Sequence, residues 1–177
     1  MIKRNMKKNK KKIQKMAFLG VMAAAAMILS YVEAILPPIF SAVPGIKVGL
    51  PNLVIIFVLY YMGAPAAALV SLVRIILTSL LFGSPISFIY SVAGAFLSLA
   101  MMLLLKKMNT FSVVGISATG GIAHNIGQIA AAMLLLETAE IGYYLIVLAV
   151  TGTIAGLLVG LLAAFVIDRF EAKPFIE

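Results

Sequence analysis

The sequence predicts an all-α integral membrane protein: six transmembrane helices in one bundle, with both termini cytoplasmic. Three observations carry this expectation. Apolar residues make up 63% of the 177 and mean hydropathy is +1.14, whereas a soluble domain is about half apolar. Six apolar segments follow one another, separated by short breaks rich in Pro, Gly or Lys. The cations are partitioned among those breaks in the way that cytoplasmic loops collect Lys and Arg.

The first element is a basic arm, residues 1–16, carrying Lys3, Arg4, Lys7, Lys8, Lys10, Lys11, Lys12 and Lys15. The rest of the chain holds as many acids as cations, so the net charge of +8 belongs to the arm. Beside a membrane span this is an orientation signal that also touches anionic lipid, rather than a nucleic-acid contact. The first apolar run, Ala17 to Leu36, is about 20 residues, the length of a span and long for a signal peptide. Pro37 and Pro38 end it, because proline cannot continue a helix. The second run starts near Pro51 and ends at Met62. It is short, so it either tilts little or reaches only part-way. The third, Ala66 to Phe82, is entered through Gly63-Ala64-Pro65, and the fourth, Ile86 to Leu105, through Gly83-Ser84-Pro85. The fifth is Val113 to Leu136 and the sixth Ile141 to Ile167. The membrane domain is therefore expected over 17–168, with a short cytoplasmic tail over 169–177.

Span parity agrees with charge. Lys106 and Lys107 fall after four spans, and Arg169 and Lys173 after six. The outer connections, 37–50, 83–85 and 137–140, carry Lys47 against Glu137 and Glu140. Backbone in lipid must satisfy its own hydrogen bonds, which leaves helices or closed barrels. The continuous apolar runs lack the alternation of a barrel strand.

Several chemistries are disfavoured. The chain has no cysteine and one histidine, a poor basis for a zinc site. Asp168 is the one aspartate, so paired aspartates for a diphosphate-bound Mg²⁺ cannot be assembled. No P-loop, GxGxxG or HExxH occurs. The expectation is a protein that is not an enzyme and carries no metal or cofactor.

Charged side chains deep in a bilayer cost a few kcal/mol and usually face an interior. Glu33 lies at the outer end of the first span and Arg74 midway along the third. His124, Asn125 and Gln128 lie midway along the fifth, where His124 and Gln128 share a face. Gly120, Gly121 and Gly127 thin the helix there, leaving room for a partner or ligand. Lys47 and Asn52 belong to the outer loop and its exit, and Tyr31, Tyr90, Tyr143 and Tyr144 are candidates to wall an outer pocket. Each has a plainer reading. Arg74 can pair with Glu33, the fifth-span amides can bond helix to helix, and Lys47 can be a solvated loop cation. Small residues four apart, Gly152-Gly156-Gly160-Ala164, Gly20-Ala24 and Ala64-Ala68, allow close helix approach, within this bundle or to a partner.

The stretches Ser30-Tyr31-Val32-Glu33, Pro37-Pro38, Ile46-Lys47-Val48-Gly49-Leu50-Pro51-Asn52 and Arg74 to Gly83 together resemble the Gx transporter family, often labelled heptaprenyl diphosphate synthase component I. That family in turn is similar to the substrate-binding S components of energy-coupling factor (ECF) transporters. The resemblance runs from about residue 15 to 168. It implies a six-helix bacterial plasma-membrane protein that binds a small molecule beneath the loop between its first two helices. It further implies docking on a membrane T subunit and two ATPases through small residues of the first helix. Here that helix offers Gly20/Ala24 and Ser30/Ala34 in place of Ala-xxx-Ala.

The expected function is thus a substrate-binding subunit for uptake of a small anionic organic molecule. Lys47, Arg74 and His124 would supply cationic or donor groups, Asn52, Asn125 and Gln128 orienting hydrogen bonds and Tyr90 part of the wall, with Glu33 also among the substrate-binding residues. Gly20, Ala24, Ala64 and Ala68 would dock the partner. The alternative is a non-catalytic membrane subunit associated with a polyprenyl diphosphate synthase or with isoprenoid or quinone metabolism. A proton-coupled carrier using Glu33 and His124 is a third class.

Overall fold

The computed structural model describes residues 2–35 and 49–171. Every element there is helical: α1 (Ile2–Ile35), α2 (Asn52–Tyr61), α3 (Ala64–Phe82), α4 (Pro85–Met108), α5 (Val113–Leu136) and α6 (Tyr144–Glu171), with a 3-10 turn over Ala139–Tyr143. Five of these helices are long and apolar enough to cross a membrane. The exception, α2, has 10 residues, about 15 Å at 1.5 Å per residue and so half of a bilayer's hydrocarbon thickness. The chain is an all-helical, multi-pass membrane protein.

The helix ends follow local chemistry. Ser84 accepts the Ser87 N–H and Ser112 the Gly115 N–H, both at 3.1 Å, which satisfies amides that have no partner in the first turn. Pro65 and Pro85 sit in the first turns of α3 and α4, where the missing N–H costs nothing. Gly63, at φ +89°, donates to the Val58 carbonyl at 3.2 Å and closes α2. Two boundaries differ from expectation. α1 continues back through the basic arm to Ile2, since no Pro or Gly interrupts Ile2–Leu19 and Lys is a good helix former. The sixth helix starts at Tyr144, because residues 139–143 are taken up by the turn after Glu137.

α2 is the hub of one end of the bundle. It packs against α1, α3 and α6, and Val54 to Leu59 are all buried, as befits a helix apolar all round. Phe57 and Tyr61 stack at 5.6 Å, Phe170 of α6 meets Phe57 edge-on at 5.2 Å, and Phe18 of α1 lies 5.5 Å from Tyr61. Lys106 of α4 donates to the Leu59 carbonyl at 2.8 Å and lies 4.4 Å from the centre of the Tyr60 ring. A cation there answers both the open carbonyls and the negative end of the helix dipole. Lys106, read from sequence as an orientation signal, therefore also clamps α4 to α2.

α4, α5 and α6 are joined by glycines. A Cβ on Gly121 would lie 2.5 Å from the Gly152 carbonyl oxygen, one on Gly156 2.7 Å from Ala118 Cα, and one on Gly160 2.8 Å from Val114 Cα. The three glycines of the sixth-helix stripe thus face α5 of the same chain; Ala164 beside them is half-buried. The α5 glycines are likewise taken up by packing rather than leaving room for a ligand. A Cβ on Gly127 would lie 2.6 Å from the Ala93 oxygen, and one on Gly120 2.8 Å from Met102 Cγ. Gly20 and Ala24 of α1 are exposed, Gly20 with nothing within 4 Å of such a Cβ, while Ala64 is half-buried and Ala68 exposed.

Candidate functional site

The α-helical repeat brings Ser30 and Glu33 to one face of α1 and Ser71, Arg74 and Thr78 to one face of α3. All five are buried, and α1 packs along α3. Ser30 Oγ donates to the Ala26 carbonyl at 2.9 Å, so its own lone pairs face outward and accept from Arg74 Nη1 at 3.5 Å. Glu33 is the opposite charge acting on Arg74. Its carboxylate also accepts the backbone N–H of Gly49. Gly49 stands at φ +95°, and a Cβ there would lie 2.9 Å from Asn52 Nδ2; its carbonyl accepts the Asn52 N–H at 2.9 Å. Three expected residues, Glu33, Arg74 and Asn52, therefore meet around the chain entering α2. Lys47 lies outside the described residues.

A second polar group forms where α4 crosses α5. Ser87, Ser91, Gly94 and Ser98 lie on the buried face of α4. Gly94 is the point of closest approach: a Cβ there would sit 2.8 Å from Gln128 Cγ and 2.9 Å from His124 Cε1. Tyr90, 1% exposed, packs with Ile129, Ala131 and Ala132 of α5. Asn125 is one step round the helix, and its Nδ2 donates to the Leu148 carbonyl of α6 at 2.6 Å. The triplet is thus divided: His124 and Gln128 face α4, Asn125 faces α6. α3 and α5 do not pack on each other, and α4 and α2 lie between them. Of the tyrosines, Tyr143 is 80% exposed and Tyr31 lies tilted against Phe82 at 4.9 Å on the surface, so neither lines the interior.

Six polar atoms in these groups stand out. Arg74 Nε, Thr78 Oγ1, Ser98 Oγ, Asn125 Oδ1 and both ends of the Gln128 amide are buried with no hydrogen-bond partner among the described residues. Each such group costs about 1–3 kcal/mol if nothing meets it. Native interiors satisfy nearly all of their polar groups, so these atoms are the ones in the two groups with hydrogen-bonding capacity left over. Ser30, Ser71, Thr78 and the α4 serines were not evident from sequence. Their signal was available as a helical spacing, 71-74-78 and 87-91-94-98, but serine is common enough in apolar helices to pass unremarked.

Among the described residues no three His, Cys, Asp or Glu side chains gather in a way that would hold a metal. No curated protein and no solved structure matches the chain. The family described as heptaprenyl diphosphate synthase component I matches residues 22–166, a stretch that contains both polar groups and leaves out the basic arm. The chain is therefore a membrane-embedded member of the heptaprenyl diphosphate synthase component I family, the Gx family.

Proposed function

We propose that this protein is a substrate-binding membrane subunit that takes up a small organic molecule carrying an anionic group. Both termini are cytoplasmic in this reading, and the binding face lies at the outer end, around Arg74. The observation that carries it is the state of that side chain. Arg74 is 4% exposed inside an apolar helix bundle, its Nη1 makes one long bond to Ser30, and its Nε has no hydrogen-bond partner among the described residues. A guanidinium presents a planar fork suited to carboxylate or phosphate. The contacts of Glu33 with Gly49 and of Gly49 with Asn52 attach this charge to the chain entering α2. A bound anion at Arg74 is thereby coupled to the segment that leads into the membrane. Asn52 and Lys47 would orient the ligand, with His124, Gln128 and Tyr90 supporting α4 at the far side.

The chain has no nucleotide-binding motif, so uphill uptake requires energy from partners: a membrane T subunit and two ATPases, docked along exposed Gly20, Ala24 and Ala68. Native mass spectrometry of gently purified protein tests the reading. A small anionic adduct retained by the wild type and lost in a folded Arg74→Gln protein is the expected result; an equal adduct on both proteins rejects it.

A second reading is favoured by the family's description, which names one component of a synthase. Here the chain is a non-catalytic membrane subunit attached to a polyprenyl diphosphate synthase. Affinity purification from native membranes separates the two, since ATPases co-purify in the first case and a prenyl synthase in the second. In both, the purified chain with allylic diphosphate, isopentenyl diphosphate and Mg²⁺ gives no elongation.

A further inference from the structure

We propose that the basic part of α1 is a docking seam for an acidic amphipathic helix of a partner protein standing at the membrane surface. The inference is independent of the ligand reading. α1 runs without a break from Ile2 to Ile35. Met6, Asn9, Ile13, Met16 and Gly20 recur along it at alternating steps of three and four, the spacing of a heptad seam. Met6 and Ile13 are each 66% exposed and Met16 62%. The bundle takes over farther along the same helix, burying Ala26, Ser30 and Glu33. With Met6 and Ile13 at a and Asn9 and Met16 at d, the flanking e and g positions hold Lys10 and Lys12, which are exposed.

Charge and geometry choose the occupant. Residues 1–32 contain no acid, and the arm sets cations four apart at 3/7, 4/8, 7/11, 8/12 and 11/15. Each such pair weakens an isolated helix. An acidic helix in the seam turns that repulsion into pairing across the interface, as e and g charges do in coiled coils. A second copy would set lysine against lysine. Lipid reaches too little of the arm. On a helix coaxial with the span, Lys10 lies about 10 Å and Met6 about 16 Å beyond Ala17, whereas the headgroup layer is about 5–7 Å deep on each side.

The full chain in nanodiscs, of neutral lipid and of lipid with added phosphatidylglycerol, tests this. The probe is a three-heptad peptide with Leu at a and d and Glu at e and g, beside a control with Lys at e and g. The Glu peptide is expected to bind, more weakly as salt rises, and the Lys peptide not to bind. Ile13→Asp should weaken the Glu peptide by about tenfold or more, and Lys10→Glu with Lys12→Glu should reverse the preference. These positions lie outside the bundle, so folding is not at stake. Absent binding, equal binding of both peptides, or indifference to Ile13→Asp overturns the proposal. The chain has no cysteine, so a spin label at Met6→Cys reports cleanly. A label open to water in both nanodiscs supports the proposal. Burial of the label in anionic lipid, or close label-to-label contact between copies without peptide, overturns it in favour of a lipid or self-associating arm.

Discussion

α4, α5 and α6 differ from α1, α2 and α3 in how they hold together, and the difference bears on where the proposed site would lie. In the first group glycine brings backbones into contact, and one buried amide, Asn125 on the Leu148 carbonyl, bonds helix to helix. In the second the contacts are made by side chains. An aromatic cluster and Lys106 fix the short α2, and two buried opposite charges, Glu33 on α1 and Arg74 on α3, act on each other. Close backbone packing in a membrane rewards small residues, because lipid offers no hydrophobic drive between helices. It also leaves no room for movement. A group that must receive and release a ligand is better placed where side chains, which can be exchanged for other partners, make the contact.

The largest expected effect breaks the rigid half. Gly121→Val places carbon against the Gly152 carbonyl, which a Cβ would already approach to 2.5 Å. Backbone cannot yield as a side-chain tip can, so destabilisation of about 3 kcal/mol or more is expected, read as loss of monodisperse protein or a fall in thermal midpoint. The control is Gly20→Ala, where nothing lies within 4 Å. Helix propensity then predicts a gain of about 0.5–1 kcal/mol. Equal effects at the two glycines would dissolve the contrast between the halves.

A smaller effect sharpens it. Lys106→Met keeps the stem of the side chain but leaves the Leu59 carbonyl without its 2.8 Å donor. A loss of about 1–2 kcal/mol is expected, with stability restored in part by Lys106→Arg. An unchanged midpoint would show that α2 is held by its apolar faces alone. The smallest perturbation is a label. A cysteine at position 110 should react with a membrane-impermeant maleimide only after permeabilisation, and one at 42 without it; the reverse pattern rejects cytoplasmic termini.

How much of this was legible in the sequence varies with the range of the interaction. Helix ends were legible because they are local: Pro51, Gly63-Ala64-Pro65 and Gly83-Ser84-Pro85 carry their boundaries in their own backbone chemistry. The part-way length of α2 could be read from twelve residues, Pro51 to Met62. Which neighbour each polar face meets could not, because it depends on helix order around the bundle. His124, Asn125 and Gln128 read as one group, yet the 100° turn between 124 and 125 sends them to different helices. Gly94, which receives His124 and Gln128, carries no mark in its own sequence context. The plainer alternative, Arg74 answered by the charge of Glu33, was anticipated, and it is compatible with the ligand reading, since Arg74 Nε has no partner among the described residues.

The central claim is that this pair belongs to a binding site, and a double-mutant cycle tests it most directly. Wild type, Arg74→Gln, Glu33→Gln and the double variant are purified, and thermal stability and retained anionic ligand are measured on each. Removing one member of a buried pair leaves the other uncompensated, at about 3–5 kcal/mol, so either single variant should be less stable and the double variant largely rescued. Ligand should follow a different pattern: retained by wild type and lost by both proteins that lack Arg74, including the rescued double variant. A rescued double variant that retains the ligand as well as wild type would contradict the account, leaving Arg74 and Glu33 as a structural pair and nothing more.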